Sequence, residues 1–382
     1  MPIDYRVYFD GQAASSAELR AIESIVVDQE IDAAWEARLR IAICADERGN
    51  WREGDRYAED FARVRVELRI TGGRYTPLLD GPVVIRAAEL SSEPGQSSLT
   101  LTARDDSVFL NRRAAPEVFE QNRDSAIAQG IFDSVTQIGE TEVENTPPAQ
   151  GDRLPANVQQ GTAIEALRAL ARRHGMHAYV LPGARAGESV GVFRRPPTRP
   201  GELPEIISMG LRRNVDRIQV EVNSTRPAEI IAETLSLGDK AVIRRRSTSR
   251  DLDLLGEEPA VPSAQQGVDR LPPGQAGATD VQSQVDGEAR RRSYAVTVTG
   301  ETHGSCYGGI LSPYQVVHLR GATSRLSGDY TITKVTHTLG RSKYSQGFSL
   351  RSNSRAPADR GQRQGQSQSQ NQGQSQAPQG VF

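Results

Sequence analysis

Hydrophobic and polar residues alternate through the stretch 321–353, which reads GATSRLSGDYTITKVTHTLGRSKYSQGFSLRSN. Positions 330–335 follow a period of two and are rich in β-branched residues, which predicts a strand. The segment 340–342 has turn composition, and Phe348 and Leu350 then resume the alternation. The pattern therefore predicts a β-hairpin.

A second stretch, 79–103, repeats this pattern. The repeat aligns Leu326, Gly328, Tyr330 and Ile332, in that order, with Leu79, Gly81, Val83 and Ile85. It aligns Phe348 and Leu350 with Leu99 and Leu101. An alternating strand precedes each copy, at 64–70 in the first and at 315–319 in the second. This similarity indicates one small β unit used twice, although any two amphipathic hairpins share some of the pattern.

The first β unit contains further alternating segments, which lie at 5–10, 22–28, 37–42 and 62–70. Residues 17–22 suit either a short helical turn or the approach to the next strand. With the hairpin 79–103, about six strands fall within about a hundred residues, the size of one small barrel or sandwich.

A helical pattern follows the first unit. Ser125 is the predicted cap of a helix over 124–135, and Thr162 with Glu165 forms a capping box for a second helix. Residues 176–181 and 190–194 then predict a hairpin. These elements predict a compact α/β domain that lies between the two β units.

The second β unit begins after a proline-rich boundary, with strands predicted at 217–222, 241–245 and 290–300. A segment rich in Pro, Gly, Gln and Ser interrupts it, and such a length is unusual for a connection inside a compact domain. We therefore expect a mainly β chain with an α+β insert. Its predicted parts are a first barrel at 1–113, an α/β insert at 114–203, a second barrel at 204–246 and 290–355, a flexible excursion at 247–289, and a disordered Gln/Gly/Ser tail at 356–382.

The net charge of −2 gives no general attraction to nucleic acid or to an anionic membrane. No apolar run is long enough to span a bilayer, and the first residues lack the features of a secretory signal. Cys44 and Cys306 can pair only if the fold brings them together, and reduced thiols in a cytoplasmic protein are the favoured interpretation.

Three groups of residues have types that occur in catalytic or metal sites. His174 and His177 lack the further ligands that a zinc site needs, and two histidines in a turn is the favoured interpretation. The carboxylate pairs 105–106 and 257–258 are adjacent in sequence, so their members point to opposite faces of a strand. The stretch 303–309, HGSCYGG, lacks the strand-to-helix context of a nucleophile elbow and suits a glycine-rich loop. We therefore predict no catalytic, cofactor-binding or metal-binding residues.

Basic residues occur in short runs at 172–173, 194–195, 212–213, 244–246 and 290–292. Few aromatic residues accompany them, so the sequence does not support stacking on single-stranded nucleic acid. Most such runs form solvated faces, but in a ring-shaped assembly some would line the channel.

Three phrases, in this order, carry a resemblance. They are SLTLTARDDSVFLNR at 98–112, QGTAIEALRALARRHGMHAYV at 160–180 followed by VFRRP at 192–196, and the segment from Gly308 to Asn353. The chain resembles the late control protein D and baseplate hub family of contractile phage tails. The same module forms the N-terminal part of the valine-glycine repeat G spike proteins of type VI secretion and of extracellular injection systems.

The resemblance implies two tail-tube-like β-barrels in one chain, with the α/β insert between them. Three such chains would place six barrels in a ring, so that a homotrimer adapts a hexameric inner tube to a trimeric spike. The chain continues after Asn353 only with the Gln/Gly/Ser tail, which departs from the spike relatives, so the spike is expected to be a separate protein. Other baseplate proteins, a tape measure or cargo are further expected partners. Assembly is expected in the cytoplasm, within a tail baseplate or an injection particle.

Two other classes of function stay open from sequence. A tail-associated cell-wall hydrolase would need opposed acidic residues in a pocket. A free carbohydrate-binding or nucleic-acid-binding β protein would need a dedicated binding face. The sequence leaves open whether the particle is a phage, a secretion machine or a free injection system.

Overall fold

The protein is described by a computed structural model. It describes residues 3–43, 48, 51, 62–70, 72–93, 95–112, 118–119, 123–148, 157–158, 161–226, 229–235, 240–249, 251–261, 267–272, 278–304, 306–341 and 343–357. Cys44, Ser305 and the tail beyond Pro357 lie outside this part of the chain, so the questions about them stay predictions.

The first β unit and the start of the insert contain the following elements. They are β1 (Ile3–Phe9), β2 (Gln12–Ala13), α1 (Ser16–Ala21), β3 (Ile22–Glu30), β4 (Glu36–Ala42), β5 (Arg63–Ile70), β6 (Thr76–Glu89), β7 (Ser98–Arg104), α2 (Ser107–Leu110), β8 (Val118–Phe119), α3 (Asp124–Asp133), β9 (Ile138–Val143), β10 (Asn157–Val158), α4 (Ala163–Arg173), β11 (His177–Pro182) and β12 (Ser189–Arg194).

The second β unit and its excursion contain the remaining elements. They are β13 (Ile206–Ile207), β14 (Arg217–Val222), β15 (Glu229–Leu235), β16 (Val242–Thr248), β17 (Glu258–Pro259), β18 (Val268–Arg270), α5 (Ala278–Ser293), β19 (Val296–His303), β20 (Val316–Arg320), β21 (Gly328–Gly340), β22 (Tyr344–Ser352) and β23 (Ser354–Arg355).

One large sheet runs through both β units. Its strand order is β14-β19-β22-β21-β3-β4-β7-β6-β5-β1-β2, with β20 pairing to β21 and β13 pairing to β20. The protein is therefore mainly β, with a large antiparallel sheet, as the sequence predicts.

The strand order is the same in the two units. The first reads β3-β4-β7-β6-β5-β1, and the second reads β14-β19-β22-β21-β20-β13. The last pair differs, because β1 runs antiparallel to β5 whereas β13 runs parallel to β20. Each unit has its own hydrophobic core, which in the first includes Val66 and Leu101 and in the second Ile332 and Leu350.

The insert packs α3 and α4 against the sheet β11-β12-β9. Its second helix begins where the sequence predicts, because Thr162 and Glu165 form a capping box with both hydrogen bonds present. Ser125 is not a cap, which corrects the sequence prediction. The N-cap of α3 is Arg123, and the buried Ser125 instead bonds Thr146 through its backbone N–H, at 3.0 Å.

The excursion contains ordered elements where the sequence predicts a flexible segment. Helix α5 spans Ala278–Ser293, so the strand predicted at 290–300 begins only at Val296. A small core joins α5 to β15 through Val281, Val285 and Ala289, which repeat every four residues along one helix face. The abundant polar residues conceal this stripe, which is why composition alone predicts flexibility.

A close contact anchors α5 to the insert. A Cβ atom on Gly287 would lie 2.5 Å from the Arg172 carbonyl oxygen and 2.8 Å from the Gly175 amide nitrogen, at the end of α4. Only glycine fits there without displacing backbone. The excursion is therefore packed against the insert as well as inserted into the second unit.

Candidate assembly interface

The two β units meet where β21 pairs with β3. This antiparallel junction runs from Lys334 opposite Glu30 to Gly340 opposite Ser24. On its inner face Val335 and Leu339 of β21, together with Ile25 and Val27 of β3, are buried. The junction is thus a closed seam between the two β units, and it forms within one chain.

A buried polar network crosses this seam. The ring of His337 contacts the Gln29 amide oxygen through Nε2 at 3.3 Å and the Tyr344 hydroxyl through Nδ1 at 2.8 Å. Gln29 also donates to the Leu78 carbonyl oxygen at 2.7 Å. Burial lowers the pKa of His337 to about 3, so the imidazole is neutral at physiological pH.

The β6–β7 and β21–β22 hairpins can be aligned because each contains a bulge. The pairing of β6 with β7 skips Val84, and that of β21 with β22 skips Thr333. On this alignment Val83 occupies the place of Ile332, and Ala88 occupies the place of His337. The sequence pattern instead matches Val83 with Tyr330 and is wrong by two residues, because a shift of two keeps every side chain on the same face.

The same alignment relates β14 to β3. Val220 pairs with Val298, which pairs with Leu350, whereas Val27 pairs with Ala37, which pairs with Ala103. Because Ala103 and Leu350 occupy equivalent places, Val220 corresponds to Val27.

The counterparts of the two seam strands have open edges. Among the described strands, β14 pairs only with β19, and residues 85–89 of β6 pair only with β7. These edges expose large apolar side chains, with Ile85 51%, Leu90 66% and Val222 45% exposed. An edge strand that is both apolar and unpaired favours pairing with another chain.

A buried charge cluster fixes the first unit to the insert. The guanidinium of Arg63 binds Asp80 at 2.6 Å and Asp106 at 2.7 Å, and Asp106 accepts a hydrogen bond from the Ser189 hydroxyl of the insert at 2.7 Å. Arg65 donates to Asp80 and to carbonyl oxygens of the β11–β12 turn. The cluster therefore positions the insert.

The adjacent Asp105 has no cationic partner among the described residues. Its carboxylate accepts hydrogen bonds from the backbone N–H groups of Trp35, at 2.5 Å, and Ser107, at 3.0 Å. Burial raises the pKa of Asp105 to about 6. Both carboxylates of the 105–106 pair are therefore used in packing the first unit.

The other candidate groups do not converge on one site. His174 contacts Asp124 at 2.9 Å, whereas His177 contacts Asp32 at 3.0 Å. Glu258 pairs with Arg325 at 2.9 Å, and His303 pairs with Asp216. In the described part of the chain no three His, Cys, Asp or Glu residues are placed to hold a metal ion. No described helix has the length and apolar character needed to cross a membrane.

Several basic runs are engaged in ion pairs. Arg194 binds Glu142 at 2.6 Å, and Arg244 binds Glu233 at 3.3 Å. Arg212 and Arg213 lie in an exposed turn and form no ion pair with a described residue.

The sequence offered no sign of the seam between β3 and β21, because these two strands lie about 300 residues apart.

Solved structures share this architecture. A tail protein from Neisseria meningitidis MC58 superposes with a TM-score of 0.64 at 16% identity, covering 92% of this chain and 97% of that protein. A 43 kDa tail protein of the Shewanella oneidensis prophage MuSo2 gives 0.63 at 13% identity, covering 91% and 98%. The chain has the fold of phage tail proteins.

The phage-tail fold extends to a secretion protein. An E. coli component of the type VI secretion system, similar to bacteriophage T4 tail proteins, superposes with a TM-score of 0.53 at 12% identity. The match covers 93% of this chain and 77% of that protein. No protein-family model matches the sequence, and no curated protein matches it.

Proposed function

We propose that the protein is a non-enzymatic structural hub of a contractile phage tail or injection system. Three chains form a ring around a central channel and join a hexameric inner tube to a separate trimeric spike. The observation that carries this proposal is the pair of complementary open edges, β14 and the second half of β6. The phage-tail fold and the type VI secretion neighbour agree with it.

The closed seam provides the template for contacts between chains. Since Ala88 corresponds to His337 and Val220 to Val27, β6 of one protomer pairs with β14 of the next, with Ala88 opposite Val220. The same register places Leu90 opposite Ile218 and Arg86 opposite Val222. Each chain then contributes one internal seam and one external seam, so that three chains close a ring of six barrels.

The proposed pairing covers two of the exposed apolar side chains, Leu90 and Val222. Val335 and Leu339 face the core at the internal seam, so Leu90 and Val222 would face the core at the external one. Covering such side chains is favourable because it removes apolar surface from water. The exposed Leu90 and Val222 are therefore explained as interface residues.

The opposite face of the sheet is polar and would line the channel. Its side chains include Asp28 with Arg38 at 2.5 Å and Glu23 with Arg40 at 2.9 Å. Threonine and serine alternate between the charged positions on β21 and β22. Such a surface carries paired charges, which suits passage of a tape measure, cargo or DNA without strong retention. Tube, spike and other baseplate proteins are the proposed neighbours of the ring.

Native mass measurement of the purified chain, alone and with its tube and spike proteins, tests the oligomer. We expect a complex of three times the 41.6 kDa chain mass. A strict monomer that joins neither tube nor spike protein would contradict the hub proposal.

Disulfide cross-linking tests the register. In a background with Cys44→Ala and Cys306→Ala, Glu89→Cys with Gln219→Cys places both thiols on the polar face and directly opposite each other. Directly opposite Cβ atoms lie about 5 Å apart, close enough for a disulfide after small adjustment. We expect oxidised dimers and closed trimers on a denaturing gel.

The matched control combines Glu89→Cys with Val220→Cys. This pair differs by one residue, so the two side chains point to opposite faces. Equal cross-linking in both variants would show that the register is wrong.

A further inference from the structure

A charged cleft lies where the two β units, the insert and α5 meet. Its volume is about 610 Å³, within the range of common ligand sites. The lining includes Ile31 and Asp32 of the first unit, His177 of the insert, Glu288 of α5 and Lys334 of the second unit. Four parts of one chain therefore build it.

The cleft has an excess of cations. Five arginine or lysine side chains face three carboxylates, the cations being Arg226, Arg291, Arg292, Lys334 and Arg351 and the carboxylates Glu30, Asp32 and Glu288. Lys334 pairs with Glu30 at 3.0 Å, and Arg291 pairs with Glu288 at 3.3 Å. The His177 ring contacts the Asp32 carboxylate at 3.0 Å. The acidic groups are thus already paired.

Arg292 also pairs with Glu288 and with Asp269, so two cations remain available for a ligand. Arg226 and Arg351 are exposed and form no ion pair within the described part of the chain. Arg351 lies on β22 and Arg226 follows β14, so they approach the cleft from different elements. A guanidinium group recognises carboxylates with two parallel hydrogen bonds, which makes such a pair selective for acidic groups.

The walls offer hydrogen-bonding groups and rigid support. Thr331, Thr333 and Ser349 line one side. On the other side the Tyr314 ring stacks on Tyr179, with centroids 3.6 Å apart, and its hydroxyl accepts from the Asp32 backbone N–H at 2.8 Å. The position of Asp32, and through it of His177, is thereby fixed.

We propose that this cleft binds a short acidic peptide segment of a partner protein, with Arg226 and Arg351 contacting its carboxylates. The three carboxylates of the lining disfavour closely spaced phosphates, whereas a peptide can place its acidic side chains beside the two arginines. The site is complete within one chain and goes beyond the proposed ring, so its test does not depend on assembly.

Fluorescence anisotropy with a labelled peptide of alternating glutamate and glycine tests the proposal on the full chain. We expect saturable binding that weakens with added salt, and no binding of the matching glutamine–glycine peptide. Replacing both arginines, as Arg226→Ala with Arg351→Ala, is expected to weaken binding about tenfold or more.

The matched control is Arg212→Ala with Arg213→Ala, which removes the same charge from an exposed turn outside the cleft lining. We expect it to leave the affinity unchanged. Equal loss in both variants would show non-specific attraction and overturn the proposal, as would absence of binding to the unaltered chain.

A charge reversal provides a second test. Arg226→Glu with Arg351→Glu should lose the glutamate peptide and gain a lysine–glycine peptide. Tighter binding of a single-stranded oligonucleotide with the same dependence on the two arginines would overturn the choice of an acidic peptide.

Discussion

The two β units use equivalent positions in different ways. Leu339 is buried at the internal seam, whereas Leu90, its counterpart in the first unit, is 66% exposed. The strand, the bulge and the pairing with the following strand are the same in both. The difference is that β21 has β3 on its other edge, whereas the end of β6 has no described strand on its other edge. Burial is therefore decided by the neighbouring strand and not by the local strand pattern.

A second difference follows each closing strand. Asp105 and Asp106 come after β7, and by the same alignment Ser352 and Asn353 occupy the equivalent places in the second unit. Asp106 anchors the insert through Arg63 and Ser189. Asn353 anchors the excursion, accepting from the Leu255 N–H at 3.0 Å and donating to the Asp253 carbonyl oxygen at 3.2 Å. The charged Asp106 thus anchors the insert, whereas the neutral amide of Asn353 anchors the excursion.

The largest expected effect comes from introducing a carboxylate at Leu339, in the internal seam, and at Leu90, its counterpart in the first unit. Leu339→Asp buries an unpaired carboxylate and should cost about 4 kcal/mol or more in the free energy of unfolding, measured by denaturant titration. Leu90→Asp should change that free energy by less than about 0.5 kcal/mol and abolish the trimer in native mass measurement. A trimer that survives Leu90→Asp would refute the external seam.

Removing each anchor should give a smaller difference. Asp106→Ala leaves Arg63 partly buried with one of its two carboxylate partners, and we expect a loss of about 3 kcal/mol in unfolding free energy. Asn353→Ala removes two hydrogen bonds between neutral groups and should cost about 2 kcal/mol. Equal losses, or the reverse order, in parallel denaturant titrations would show that charge does not distinguish the anchors.

A further comparison concerns pH at the internal seam. The folded-state pKa of His337, about 3, lies below its unfolded value of 6.5, so the unfolded chain takes up the proton first. The contribution of His337 to stability should therefore fall as the pH falls from 6.5 towards 3. This contribution is expected to be about 2 kcal/mol smaller at pH 5 than at pH 7.

His337→Gln removes the titrating group and is expected to flatten this dependence. The counterpart Ala88 carries no titrating group, so Ala88→Gln provides a control that should retain the acid sensitivity. Unfolding free energies measured across this pH range should separate the two variants. Parallel curves for His337→Gln and the unaltered chain would contradict the assignment.

Local patterns in the sequence predicted much of the fold. Alternation indicated β5, β14 and the two hairpins, and Thr162 with Glu165 correctly marked the start of α4. These signals work because strand alternation and helix capping depend on residues close in sequence. The prediction for Ser125 failed because its contact with Thr146, about twenty residues away, decided its role.

The sequence by itself determined that the chain is mainly β and that a hairpin pattern occurs twice, and it predicted the helices between the two copies. Only the tertiary structure decided the two-residue shift between the copies, the packing of α5 on Gly175, the cleft and the pairing of β3 with β21. Strand alternation shows which residues share a face of the sheet, but it does not fix the register along the strand. Contacts between residues hundreds of positions apart depend on how whole elements pack together. For that reason the closed seam and its open counterparts became visible only when the strands were placed side by side.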